Sequence, residues 1–124
     1  MSTWTPEELS VLSTSGSLIL SAADGGHLAV EVGMVLVGGE LYLRAYRGAR
    51  SGWYQASREH GRGRIRVGDV ARDVLLQALD ENGPHDAIDS AYQAKYPSVG
   101  GLVTSSVARS ATIRIIPAQP SRRH

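Results

Sequence analysis

The chain has 124 residues, of which 42% are apolar and 20% are charged, as in an ordinary globular domain rather than a disordered segment. It has no cysteine, which excludes disulfides and thiolate chemistry, and its sequence has no apolar run of membrane-spanning length. Glu7 and Glu8 stand where a signal peptide would be basic and then apolar, so we expect a cytoplasmic protein with no membrane partner.

The net charge of +1 conceals an uneven distribution of charge along the chain. Residues 44–72 contain eight arginines, no lysine and only two acidic residues, whereas the remainder contains five basic and ten acidic residues. Composition alone is compatible with a solvated charged face. Because the planar guanidinium matches phosphate or carboxylate oxygens better than a lysine does, the position of these arginines decides between that face and an anion site.

The first predicted element is a helix that begins at Pro6. Thr5 is placed as its N-cap, Glu8 completes a capping box, and Gly16 marks the latest point at which the helix ends. Residues 17–22, SLILSA, then predict a strand.

The clearest structural signal is a pair of strand-like runs, 27–37 and 40–46, separated by two glycines that predict a tight hairpin turn. The second run, which contains LYLRAY, alternates apolar and polar residues, so one of its faces is apolar and the other mixed. A second hairpin is predicted from residues 63–67 and 70–79, which a Gly-Asp turn connects.

Short helices are predicted between and after these strands. One covers residues 53–60 and ends at Gly61, and an amphipathic helix runs up to Pro97. A helical turn at 105–109 and a last strand at 111–117 complete the elements.

Hairpins interrupted by short helices predict an α+β fold in which a small, partly open β-barrel has helices filling its gaps. We expect one such domain over residues 1–117 and a flexible tail over residues 118–124.

The segment RGARSG, residues 47–52, joins a predicted strand to the helix at 53–60. Ser51 is placed to cap that helix, whose first amides carry a partial positive charge. The two glycines of the segment allow close approach of the backbone to a ligand, and Arg47 and Arg50 can each hold two phosphate oxygens. The segment therefore predicts a site for a phosphate or carboxylate, such as the phosphate of a cofactor.

Trp53 and Tyr54 follow this segment directly. Either ring could stack on a flat heterocycle. In a chain without phenylalanine, however, such a pair favours the core for at least one of the two.

Candidates for acid–base chemistry are few. Glu31 lies in a mostly apolar strand, where it is either a buried carboxyl or exposed on the outer face of the barrel. Tyr46, like Tyr42 and Tyr92, could donate a proton or hydrogen bond to a carbonyl, or could be a structural hydroxyl. The four histidines lack metal-ligand spacing, so no metal is expected. The arginines of GRGRIR alternate along a strand, which makes nucleic-acid binding less favoured than a small anion.

The motifs MSTWTPEEL, GWY, GRIR, RDV, IDSAYQAKY and ATIRI resemble, over nearly the full chain, a family of unknown function grouped with the FMN-binding split barrels. Residues 40–75 are also similar to the deazaflavin-dependent nitroreductase-like proteins. The resemblance implies a six-stranded split barrel that forms a homodimer, with a flavin or deazaflavin bound near the subunit interface.

Taken together, the resemblance and the arginine-rich segment assign a set of cofactor-binding residues. These are Arg44, Arg47, Arg50, Ser51, Gly52, Trp53 and Tyr54. Cofactor-binding relatives carry a further basic or polar group on the strand before the hairpin, where this chain has the largely apolar AVEVGMVLV.

Two functions follow from these features. The first is an FMN- or deazaflavin-dependent oxidoreductase that transfers a hydride to or from a small organic molecule, with no residue required as a base. The second is a cofactor-free barrel that binds, cyclises or isomerises an organic molecule in an apolar pocket, using VEVGMVLV, tyrosine hydroxyls and Glu31. Loss of Arg47 and Arg50 would impair the first and spare the second.

Overall fold

The computed structural model describes residues 3–22, 29–46, 48–98 and 104–118. Its helices are α1 (Pro6–Thr14), α2 (Gly52–His60), α3 (His85–Lys95) and α4 (Ser106–Arg109), and a 3-10 turn covers Gly48–Arg50. Its strands are β1 (Leu18–Ala22), β2 (Val30–Val32), β3 (Val35–Val37), β4 (Glu40–Arg44), β5 (Arg62–Val67), β6 (Val70–Ala78) and β7 (Thr112–Pro117). Among the described residues, no helix is both long enough and apolar enough to cross a membrane.

The strands form one antiparallel sheet in the order β2-β1-β5-β6-β7-β4-β3. The sheet has seven strands, so the expected number of six is wrong. The difference arises because the run before the first hairpin breaks into β2 and β3, which lie at opposite edges of the sheet. Only Gly33 and Met34 separate these strands, and three Cα–Cα steps span at most about 11 Å. The sheet is therefore curled until its edges nearly meet, which is consistent with a split barrel.

The break between β2 and β3 is held by the C-terminal end of α3. The Tyr96 hydroxyl accepts a hydrogen bond from the Met34 amide at 3.0 Å and lies 2.7 Å from the Gly16 carbonyl oxygen. The Lys95 ammonium donates to the Met34 carbonyl at 2.9 Å. A Cβ on Gly33 would lie 3.2 Å from the Tyr96 hydroxyl oxygen, so the close approach of the ring explains glycine at this position.

Both predicted hairpins are confirmed. Gly38 and Gly39 form the turn between β3 and β4 with φ of +59° and +81°, the left-handed conformation that a two-residue turn of this hand requires. Gly68, with φ of +55°, begins the turn between β5 and β6.

The helix limits also follow from local chemistry. In α1 the Thr5 hydroxyl accepts from the Glu8 amide, and the Glu8 carboxylate accepts from the Thr5 amide, so the predicted capping box is present. Gly61 ends α2 in the left-handed conformation, as its position predicts.

The strand β4 is buried on both of its faces. Leu41 and Leu43 point into the barrel, where they join the main core with residues such as Ile65. On the opposite face Tyr42 belongs to a second apolar cluster, beneath α3, which is completed by Val35, Ile88 and Tyr92. The mixed face predicted for β4 is thus covered by α3 rather than open to solvent.

Candidate functional site

Residues 46–52, which we call the anion loop, connect β4 to α2. Arg47 lies outside the described residues. Gly48 adopts φ of +78°, and its amide donates to the Ala45 carbonyl at 2.8 Å. The Ser51 amide in turn donates to the Gly48 carbonyl at 3.0 Å, which directs the chain into α2.

The N-terminal end of α2 offers several hydrogen-bond donors to a ligand. Ser51 is the N-cap residue as predicted, but its hydroxyl makes no capping hydrogen bond, contrary to expectation. The first intrahelical bond comes from the Gln55 amide, so the earlier amides have no partner within the helix. No atom lies within 4 Å of the place where a Cβ on Gly52 would be. The Arg50 side chain is exposed and forms no ion pair within the described ranges.

The two aromatic residues of α2 differ in burial. Tyr54 is only 4% exposed, and its hydroxyl donates to the Ser110 carbonyl at 3.2 Å, so the expectation that at least one ring lies in the core is confirmed. Trp53 is half-buried and packs against the same core.

Arg44 lies beneath α3 and is 4% exposed. One terminal nitrogen of its guanidinium binds the Asp89 carboxylate, and the other lies 3.2 Å from both the carbonyl oxygen and Nδ1 of His85. The Arg44 Nε donates to the Thr112 hydroxyl at 3.1 Å. Arg44 therefore binds the protein's own groups on α3 and β7 and has a structural role there.

The Asp89 carboxylate is shared between two arginines. Its Oδ1 accepts from Arg44, and its Oδ2 accepts from Nε of Arg109 at 3.1 Å. The exposed Asp86 binds the same Arg109 guanidinium at 2.6 Å. Burial alone would raise the pKa of Asp89, but the hydrogen bonds and charges of the two arginines outweigh burial and hold this pKa below its usual value. Asp89 is therefore a stable anion that bridges two cations.

The hydrogen bonds of His85 define its tautomer. Its Nε2 lies 2.7 Å from the Asp80 carbonyl oxygen, which only accepts, so Nε2 carries the proton. Its Nδ1 faces the Arg44 guanidinium, which only donates. His85 thus has a structural role, connecting the Asp80 carbonyl to the Arg44 guanidinium. No three His, Asp or Glu side chains in the described part of the chain are grouped to hold a metal ion.

The acid–base candidates lie in different surroundings. Glu31 is exposed on β2 and accepts a hydrogen bond from the Ser17 hydroxyl, so the exposed alternative holds. Tyr46 is 54% exposed at the start of the anion loop. The Tyr92 hydroxyl accepts from the Arg44 amide at 3.0 Å, and burial raises the pKa of this phenol. Burial likewise raises the pKa of Tyr42, which lies under α3.

The contacts of Arg44 with Asp89 and Thr112, and of Arg109 with the same Asp89, correspond to no recognisable sequence motif. One signal was present: His85 and Asp89 are spaced i, i+4, on a helix whose buried side also includes Ile88. Two polar groups near the buried side of a helix need hydrogen-bond partners, and an arginine on a neighbouring strand supplies them.

The fold is similar to several solved structures. A conserved hypothetical protein from Mycobacterium tuberculosis gives a TM-score of 0.70 at 14% identity, over 94% of this chain and 82% of that chain. A FAD-binding protein from Mesorhizobium loti gives 0.64 at 18% identity, over 95% and 93% of the two chains. A putative pyridoxamine 5′-phosphate oxidase from Listeria innocua gives 0.61 at 15% identity, over 91% and 92%. At these identities the similarity concerns the fold.

A comparison with curated protein sequences finds no match. Residues 9–115, by contrast, match a family described as "Uncharacterized protein conserved in bacteria". This span includes β1 to β6, the anion loop and most of β7. The chain is a member of that family, DUF2255.

Proposed function

We propose that this protein binds FMN or a deazaflavin, with the phosphate of the cofactor at the anion loop, and that it acts as an oxidoreductase on a small organic molecule. The shared fold of a FAD-binding protein and a putative pyridoxamine 5′-phosphate oxidase supports a flavin. The observation that carries the proposal is the N-terminal end of α2, where amide and side-chain donors remain available beside an open glycine.

The residues present suit a phosphate group. Arg50 supplies a planar pair of donors, and the Ser51 hydroxyl is not used in capping. A phosphate oxygen can approach the first amides of α2 because Gly52 has no side chain and open space around it. Arg47, one residue after Tyr46, adds a second cation to the same loop.

Each of these groups has a distinct task in the proposed site. Arg50 and the α2 amides neutralise and orient the phosphate, and the exposed Tyr46 ring offers a flat apolar surface next to it. The half-buried Trp53 closes the side of the site that faces the core. A bound flavin or deazaflavin would supply the hydride-transfer chemistry. We expect the protein to be a homodimer, which gel filtration with light scattering can establish.

No observation favours the cofactor-free alternative. The interior of the barrel is occupied by the main core cluster, to which Met34 and the partly buried Val30 and Val32 contribute. Glu31, the acid that the alternative places at its pocket beside the tyrosine hydroxyls, is exposed on the edge strand β2.

The test is a fluorescence titration of the full chain with FMN, FAD and a deazaflavin, together with an absorbance spectrum of the protein as isolated. We expect saturable binding with a Kd on the order of micromolar. The double variant Arg47→Ala/Arg50→Ala should lose it. Arg64→Ala/Arg66→Ala, which removes the same charge from the exposed face of β5, is the matched control and should bind normally.

Two results would contradict the proposal. Absence of binding to all three cofactors by the wild-type protein would contradict the assignment of a flavin or deazaflavin as its cofactor. Equal loss of binding in both double variants would show that the charge of the protein, not the anion loop, holds the ligand.

A single-residue test addresses the close approach of backbone and phosphate. Gly52→Ala adds only a methyl group, into space that holds no other atom within 4 Å. The melting temperature should therefore not fall, because alanine is the better helix former. The affinity for FMN should fall all the same, and unchanged affinity would place the phosphate elsewhere.

A further inference from the structure

The anion loop, whose regular structure is the single 3-10 turn Gly48–Arg50, packs against the segment that contains α4. The Ala45 amide donates to the Ala111 carbonyl at 3.0 Å, just before the loop. Within the loop, a Cβ on Gly48 would lie only 2.4 Å from Cγ1 of Val107, so Gly48 sits directly against α4. After the loop, the Tyr54 hydroxyl binds the Ser110 carbonyl. One contact within the loop and one on each side of it thus connect this part of the chain to residues 107–111.

That supporting segment is itself weak. The helix α4 has four residues, which is one turn, and an isolated helix of that length has no stability in water. The Ser105 hydroxyl caps it by accepting from the Ala108 amide at 3.2 Å. Besides its buried Ala108, the helix is attached to α3 through Arg109, which binds Asp89 and Asp86. The two carboxylates therefore help to fix the position of α4.

Asp89 also holds the other end of the loop. Arg44 is the last residue of β4, two residues before the loop begins, and it binds the Asp89 oxygen that Arg109 does not use. One carboxylate on α3 thus fixes the strand that leads into the loop and the helix on which the loop rests. Asp86 has only the second of these roles, and its side chain is 98% exposed.

We infer that Asp89 is a positioning residue for the anion loop. It touches no ligand and acts through Arg44 and Arg109, which hold the loop and the N-terminal end of α2 in the geometry that receives a phosphate group. The ligand part of this inference rests on the proposed function, whereas the ordering of the loop by Asp89 does not.

The experiment compares wild-type protein with Asp89→Asn, Asp89→Glu and Asp86→Asn by amide hydrogen exchange without ligand and by FMN titration. In Asp89→Asn, exchange in residues 45–54 should rise by about tenfold, and exchange in the hairpin at 62–78 should stay as in wild type. The affinity for FMN should fall by about tenfold. Asp89→Glu should recover part of both losses, and Asp86→Asn should change either by less than about twofold.

The outcomes separate the two claims. Faster exchange of the loop in Asp89→Asn, with no binding of FMN, FAD or a deazaflavin by wild type, supports positioning by Asp89 and contradicts the proposed cofactor. Unchanged exchange of the loop, or an equal rise in the hairpin, overturns the inference whatever the result of the titration. Should Asp89→Asn fail to fold, Arg109→Gln releases only α4. The same rise in residues 45–54 then supports the inference, and no rise overturns it.

Discussion

The outer surface of this barrel has two faces that begin from the same sequence pattern and end in different surroundings. On β4, ELYLR alternates apolar and polar residues, and α3 covers the outward side chains, so that Arg44 is buried. On β5, RGRIRV alternates in the same way, but its outward arginines are exposed, and Arg64 is 59% exposed in its ion pair with Asp73.

The difference shows that alternation fixes which side of a strand a residue occupies but not what lies on that side. Arg44 is surrounded by α3 and β7, which lie 41 and more positions later in the sequence. There it is a structural cation. Arg64 and Arg66 remain in water, where an ion pair adds little to stability. The same residue type is thus buried in a hydrogen-bond network on one face and exposed to solvent on the other.

The largest effect should come from shortening an apolar side chain of α3 that packs on the outward face of β4. Ile88 is fully buried against Val35, Tyr42 and Tyr92, so Ile88→Ala should lower the free energy of unfolding by about 3 kcal/mol or more. Leu75 lies on β6 opposite Arg62, on the same solvent-facing side of the sheet as the exposed arginines of β5, and about half of it is exposed. Leu75→Ala should therefore lower the free energy of unfolding by less than about 1 kcal/mol. Urea denaturation of both variants measures the difference, and equal losses would mean that this side of the sheet is also covered in solution.

The next effect concerns the two arginines themselves. Arg44→Met removes one partner of a buried ion pair, leaves Nδ1 of His85 without its donor and leaves Asp89 with Arg109 alone, so we expect a loss of about 3 kcal/mol. Arg66→Met should change stability by no more than about 0.5 kcal/mol. Thermal and urea unfolding check both values. A loss of stability below about 1 kcal/mol for Arg44→Met would show that packing of the methionine compensates for the lost ion pair. The two arginines would then differ in burial but not in their contribution to stability.

A smaller effect is expected from two tyrosine hydroxyls. Tyr92→Phe leaves the buried Arg44 amide without its acceptor and should cost about 1 to 2 kcal/mol. Tyr46→Phe should stay within about 0.5 kcal/mol of wild type because the side chain is exposed and substitutions at exposed positions change stability little. Comparable losses in the two variants would contradict the assignment of Tyr92 as the structural hydroxyl.

The smallest effect is a difference between wild type and Asp89→Asn in how the free energy of unfolding changes at acidic pH. The pKa of Asp89 is lower in the folded protein than in the unfolded chain, so the unfolded chain binds a proton first as the pH falls. The stabilisation by Asp89 is then present at neutral pH and is lost progressively below about pH 5. Stability of Asp89→Asn, measured by urea titration at several pH values, should therefore fall less steeply in that range. Parallel curves would show that other carboxyls control acid unfolding.

Local features of the fold could be predicted from the sequence because their causes lie within a few residues. The capping box at Thr5 and Glu8, the Gly38–Gly39 turn and the end of α2 at Gly61 each depend on neighbours in the chain. The break at Gly33 could not be predicted in this way, since it depends on pairing with opposite edges of the sheet and on Tyr96. The seventh strand follows from that long-range arrangement.

The candidate site likewise contains residues whose location the local sequence predicts and one, Arg44, whose surroundings depend on distant parts of the chain. Arg50, Ser51 and Gly52 lie at the start of a helix that the sequence predicts, so their common location could be inferred. The surroundings of Arg44 could not be, because Asp89 lies 45 residues away and its role as a shared carboxylate requires the packing of α3 on β4.

The junction at Gly33 and Met34 also bears on the solubility of the protein. A curled sheet with two open edges would offer unpaired amides and carbonyls to the strands of other molecules. Here the edge strands β2 and β3 have three residues each, and β2 carries the exposed charge of Glu31. Because α3 binds the backbone at the point where the edges meet, little strand remains on which aggregation could begin.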